Sequence, residues 1–92
     1  MIRSFASGEA EALFLGLPAR RYQSVARVAQ RKLLQVHAAR ELEDLRAFPG
    51  NRLEALKGDR KGQHSIRIND QYRICFEWRD GDAFKVDVTV YH

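Results

Sequence analysis

The residues with the richest chemistry lie in two places. From Leu56 to Phe76 the chain reads LKGDRKGQHSIRINDQYRICF, and its last three residues are Val90, Tyr91 and His92. The first stretch is a basic glycine loop followed by two runs of alternating apolar residues. The second sets a phenol beside an imidazole. Histidine titrates near neutrality and suits general acid or base work. Tyrosine supplies a hydroxyl donor and a ring on which a nucleobase can stack. Arg67 and Arg73 each fall inside an alternating run. A guanidinium there can grip two phosphate oxygens in parallel. It can equally form cross-strand ion pairs, here with Glu77 or Asp87. Lys57, Arg60 and Lys61 cluster around Gly58 and Gly62. Glycines let a loop bring backbone donors close to a phosphate. The spacing is not that of a P-loop, since no lysine follows the second glycine, and alone the loop reads first as a solvated turn.

Cations able to hold a phosphate, beside two proton-transfer side chains, point to metal-free chemistry on a phosphodiester. His37, His64 and His92 are scattered without zinc-ligand spacing, and the second half carries no paired acids of the two-metal kind. No nucleophile motif surrounds Ser4, Ser7, Ser24 or Ser65. The expectation is therefore no metal and no cofactor. Cleavage of RNA would use the substrate's own 2′-hydroxyl, with a base on that hydroxyl, cations on the phosphate and an acid on the leaving oxygen.

These groups need a scaffold. Ile2–Phe5 reads as a possible edge strand, and Glu9–Leu15 as a short helix capped by Ser7 and ended before Pro18. Tyr22, Val25, Ala26, Ala29, Leu33 and Val36 recur at three- and four-residue steps, which predicts a helix over Tyr22–Ala38. A further helical turn, Glu41–Arg46, runs into the stop signal Phe48-Pro49-Gly50. The period then changes to two. Strands are expected at Arg52–Leu56, Gln63–Ile68, Tyr72–Arg79 and Ala83–Tyr91, with turns at Asn69-Asp70 and Asp80-Gly81-Asp82. Alternation puts Tyr72, Ile74, Phe76 and Trp78 on one face, with Phe84, Val86, Val88 and Val90 of the last strand. The opposite face then carries Arg67, Arg73 and Tyr91 together. The fold class is α+β: two N-terminal helices on a small, mainly antiparallel sheet.

Ninety-two residues make one domain, 1–92, and 45% hydrophobic residues permit a thin single core. Sixteen Lys and Arg against twelve Asp and Glu give +4, compatible with a polyanion partner. The lone Cys75 excludes an internal disulfide and fits a small strand residue in a reducing compartment. The first residues lack the apolar run of a secretory signal, and Ala12–Leu17, the longest apolar stretch, is too short for a bilayer. The expectation is a cytoplasmic protein with no membrane partner.

Taken together, the Leu-Lys-Gly-Asp-Arg, Ser-Ile-Arg-Ile-Asn and Tyr-Arg-Ile-Cys-Phe pieces and the ending Tyr-His resemble the HigB branch of the RelE/ParE toxin superfamily over essentially the whole chain. The resemblance implies a RelE-like fold and a toxin that cuts translated mRNA in the ribosomal A site. It implies as partners the 70S ribosome, mRNA and a HigA-like antitoxin with a helix-turn-helix domain, with operator DNA bound only through the toxin–antitoxin complex. It assigns His92 to proton transfer, Tyr91 to substrate contact or stacking, Arg73 to the scissile phosphate and Lys57 to the backbone or developing charge. Arg60, Lys61 and Arg67 would bind RNA. The chain departs from the family pattern at Val90, where an aspartate is usual, and at Glu54, where a histidine is usual. Glu54 is then either a base or an ion-pair partner for Arg52 or Lys57. Two other readings stay open: a ParE-like binder that inhibits DNA gyrase, and a degenerate toxin that keeps only antitoxin and operator binding.

Overall fold

The computed structural model describes residues 1–91. Helix α1 spans Gly8–Leu15. Ser7 caps it by accepting the Ala10 N–H at 3.1 Å, and Glu9 and Glu11 in the first turn complement the positive end of the helix. Gly16 ends it at φ 74, a left-handed backbone that a Cβ would oppose. Helix α2 spans Ala26–Ala38, a run of good helix formers without proline or glycine. It buries Ala29, Lys32, Leu33 and Val36.

The sequence pattern predicts one helix from Tyr22, and the structure corrects this. Arg20–Val25 is a tighter 3₁₀ segment, and Tyr22 inside it has non-helical angles. The physical reason is an anchor. Tyr22 is buried, and its hydroxyl donates to the Val88 carbonyl at 3.2 Å. The segment follows that anchor and α2 starts afresh at Ala26. The Glu41–Arg46 turn is likewise 3₁₀, over Leu42–Ala47. Asp44 Oδ2 accepts from the Arg40 and Glu41 N–H groups at its start.

Four strands follow: β1 Glu54–Ala55, β2 Gln63–Arg67, β3 Tyr72–Arg79 and β4 Asp82–Val90. They pair antiparallel in that order. Ile2 and Phe5 bridge to Ala83 and Val86 in parallel, so the N-terminal segment does border β4. The strand expected over Arg52–Leu56 shrinks to two residues, because Arg52 takes a left-handed backbone at φ 48. Asp80 and Gly81 close the β3–β4 hairpin with φ of 52 and 81, the two positive angles that match the twist of the strands.

One face of the sheet packs on the helices. Leu13, Leu33, Val36, Leu45, Ile66, Ile74, Phe76 and Val86 are at most 1% exposed and form the centre of the core. Each such side chain contributes about 1.5–3 kcal/mol of burial. In β4 the alternation slips. Cys75 pairs with Asp87 but Glu77 pairs with Phe84, leaving one extra residue in β4. Lys85, at φ 52, sits in that bulge. Ala83 therefore takes the core position, and Phe84 turns out under the Arg79 guanidinium, 4.2 Å from its ring centroid. Among the described residues, no helix is long and apolar enough to cross a membrane.

Candidate active site

The outer face of the sheet has its centre at Arg73. Arg73 lies in β3, opposite Arg67 on β2 and Thr89 on β4. Its guanidinium carbon stands 5.4 Å from the Tyr91 ring centroid. On its other flank Nη1 lies 3.9 Å from Glu54 Oε1. The side chain is 16% exposed, and its Nε is buried without a hydrogen-bond partner among the described residues. A buried donor with no acceptor is costly unless something accepts from it. The pair with Glu54 is long and its carboxylate exposed, so it contributes little to stability.

Tyr91 follows the end of β4, where its N–H donates to the Gln71 carbonyl at 2.9 Å. With Arg52, Glu54, Arg67 and Asp70 it lines a cleft of about 320 Å³. Burial pushes its phenol above the ordinary value, and Glu54 adds to this, against the pull of Arg67, Arg73 and Arg52. The phenol therefore stays protonated at neutral pH, with its proton available for donation. Arg67, paired with Asp70 in the turn that follows, borders the same cleft. The ion pairs of the two strand arginines thus run to Asp70 and Glu54. Glu77 instead meets Lys85 at 3.6 Å. Glu54 is drawn to Arg73, and no pair with Arg52 or Lys57 occurs among the described residues.

The glycine loop is a 3₁₀ turn over Gly58–Arg60. Two of its backbone donors are used inside it: Arg60 N bonds the Lys57 carbonyl at 3.3 Å, and Lys61 N bonds that of Gly58 at 3.1 Å. It is thus a turn carrying side chains, with those donors withheld from a phosphate. Lys57 and Lys61 extend into solvent without ion pairs among the described residues. Arg60 is half-buried. Its Nη1 donates to Gln63 Oε1 at 3.0 Å, and it reaches over the sheet to border a second depression with Arg73 and Asp87. His92 lies outside the described residues.

Beneath this face runs a buried polar tie that sequence reasoning does not single out. Lys32 of α2 is 7% exposed, and its Nζ donates to Asn51 Oδ1 at 2.9 Å and to the Arg67 carbonyl at 2.6 Å. Asn51 donates to Gln35 Oε1 and the Leu45 carbonyl, and its own carbonyl accepts the Arg67 N–H. Burial lowers the Lys32 pKa, reinforced by Arg31 and Arg67. The tie fixes the end of β2 and the segment that leads into Glu54. Its signal was in the heptad: Val25, Ala29, Lys32 and Val36 step along one face of the helix. Arg21, which borders the second depression, also escapes sequence reasoning. Among the described residues, no three His, Cys, Asp or Glu side chains gather as a metal cage requires.

Comparison with known proteins adds a lineage to this geometry. Residues 18–92 match a family model described as a RelE-like toxin of the type II toxin–antitoxin system HigB. Toxin HigB-1 of Vibrio cholerae is 55% identical over 53 residues, 58% of this chain and 56% of that protein. The chain thus spans little more than half the length of that relative. Endoribonuclease HigB of Proteus vulgaris is 35% identical over 97 residues, the whole length of both chains. Among solved structures, the YoeB–YefM complex from Staphylococcus aureus contains a similar chain, with a TM-score of 0.60 at 18% identity, covering 100% of this chain and 98% of that one. That last likeness concerns the fold.

Proposed function

Because the chain belongs to the HigB-like family of RelE-like toxins of type II toxin–antitoxin systems, we propose that it is a ribosome-dependent mRNA endonuclease that cuts translated mRNA in the A site and arrests growth without a metal. The observation that carries this reading is the Arg73 guanidinium, held between the Tyr91 ring and the Glu54 carboxylate with its Nε unpartnered among the described residues. A phosphate supplies the missing acceptor.

In the proposed reaction the Glu54 carboxylate takes the proton from a 2′-hydroxyl. That oxygen attacks the adjacent phosphorus, and the bond from phosphorus to the 5′-oxygen breaks. The leaving oxygen takes a proton from His92. The products are a 2′,3′-cyclic phosphate and a 5′-hydroxyl end. Arg73 holds the non-bridging oxygens as charge develops, and Tyr91, protonated, donates to the substrate or stacks on a base. Lys57, Arg60, Lys61 and Arg67 hold the RNA backbone. The partners are then the 70S ribosome with its mRNA and a HigA-like helix-turn-helix antitoxin. Operator DNA is bound only through the antitoxin complex, and the setting is the cytoplasm.

The test is induction of the chain and of Arg73→Ala and His92→Ala, with mRNA 5′ ends mapped and translation measured. Codon-linked cuts and growth arrest are expected from the unsubstituted chain, and both should vanish in the variants while antitoxin binding persists. Full toxicity of both variants would defeat the assignment. DNA damage with ongoing translation would indicate a gyrase inhibitor, and antitoxin binding without cuts a degenerate toxin.

A further inference from the structure

Arg73 lines one depression and touches two residues that line another. On one flank it meets Tyr91 and Glu54, which line the cleft already described. On the other it lines a second cleft of about 380 Å³, where Arg21 and Arg60 join it beside Glu9 and Asp87. Three guanidiniums thus converge there from three elements far apart in sequence: the Arg20–Val25 segment, the glycine loop and β3. Among the described residues they outnumber the two carboxylates. One of these is already hydrogen-bonded within the cleft wall, since Asp87 Oδ1 accepts from Ser7 Oγ at 2.8 Å and from the Val88 N–H at 2.9 Å. The other, Glu9, meets Arg21 at 3.7 Å in a loose, exposed pair. Arg21 is 68% exposed, so core packing does not account for its position.

We propose that this second cleft is a subsite for the phosphate next to the scissile one, held by Arg21 and Arg60. A single strand of RNA then crosses β3 at Arg73, with one flank in the Tyr91 cleft and the other in the Arg21 cleft. Glu9 competes for Arg21 while the cleft is empty and gives way when a phosphate enters, because a doubly bonded guanidinium–phosphate pair outcompetes a long exposed ion pair. The inference rests on the reading that Arg73 holds the scissile phosphate.

The experiment uses ribosomes programmed with mRNAs in which single phosphates around the cut are replaced by neutral methylphosphonate, with single-turnover cleavage followed against toxin concentration. In the unsubstituted chain, replacing one flanking phosphate should weaken binding about tenfold, the size of one charge-assisted hydrogen bond. Arg21→Ala should weaken binding by a similar factor, leave the maximal rate unchanged, and be insensitive to that replacement. Glu9→Gln should tighten binding a few-fold, the opposite sign. Arg27→Ala, an exposed arginine outside the cleft, should behave as the unsubstituted chain. Wild-type binding by Arg21→Ala, or an undiminished methylphosphonate effect in that variant, would overturn the subsite alone. Absence of cleavage by the unsubstituted chain would overturn the underlying reading and the subsite with it. Thermal melts of each variant separate a binding loss from a folding loss.

Discussion

Replacing Lys32 by methionine removes an ammonium and keeps most of the side chain's length. The group is 7% exposed and serves two acceptors, Asn51 Oδ1 at 2.9 Å and the Arg67 carbonyl at 2.6 Å. Stripping the donor from one buried and one part-buried acceptor costs about 1–3 kcal/mol each, less for the second. Part of this returns, because the ammonium itself is unfavourably buried, as its lowered pKa records. A net loss of about 2 kcal/mol follows. A domain of this size holds roughly 5–14 kcal/mol in total, so the variant stays folded at room temperature. At about 4–8 °C per kcal/mol, its unfolding midpoint should fall by roughly 8–16 °C. Circular dichroism or calorimetry at neutral pH measures this directly. The pH dependence has a definite sign. The folded pKa lies below the unfolded one, so the unfolded chain binds more protons between the two, and the Lys32 contribution grows as pH rises through that window and is lost as it falls. An unchanged or raised midpoint in Lys32→Met would refute the claim that this tie holds the end of β2.

Arg73→Lys keeps the charge but loses the two-point grip and the plane that stacks on Tyr91, so toxicity and cleavage should fall about 100-fold; near-normal cleavage would mean that charge alone suffices. The β4 bulge can be tested by paired substitutions: Ala83→Leu should destabilise by about 1–3 kcal/mol through overpacking, while Phe84→Ala should cost about 1 kcal/mol or less, since Phe84 faces outward. The reverse order in chemical denaturation would restore simple alternation. Because the Tyr91 phenol is held above its ordinary value, Tyr91→Phe should lower cleavage by the same factor at pH 7 and pH 9, whereas a pH-dependent ratio would show an ionised phenol at work. The raised value also means that stability tied to this phenol is present below about pH 10 and is lost as pH climbs further.

Much of this architecture is written in local pattern. Ser7 caps α1 because its hydroxyl needs only the next turn of the same helix. β3 occupies Tyr72–Arg79 as alternation alone predicts, and the Asp-Gly turn after it requires nothing beyond two residues that tolerate positive φ. Arg67 and Arg73 face each other because both lie outward on adjacent strands. These are consequences of periodicity, capping and turn chemistry, each decided within a few residues.

Other features depend on partners distant in sequence. The helix breaks around Tyr22 because its hydroxyl reaches Val88, 66 residues away. Phe84 leaves the core because β4 gains one residue against β3, and a single extra residue reverses every side chain beyond it. Arg73 pairs with Glu54 because β1 lies beside β2 across the sheet, a neighbour that no spacing reveals. So the chain's own order of residues determined an α+β scaffold with Arg67 and Arg73 side by side on its outer face. Only three-dimensional packing decided which carboxylate meets which guanidinium, because such pairing depends on register and bulges between strands far apart along the chain.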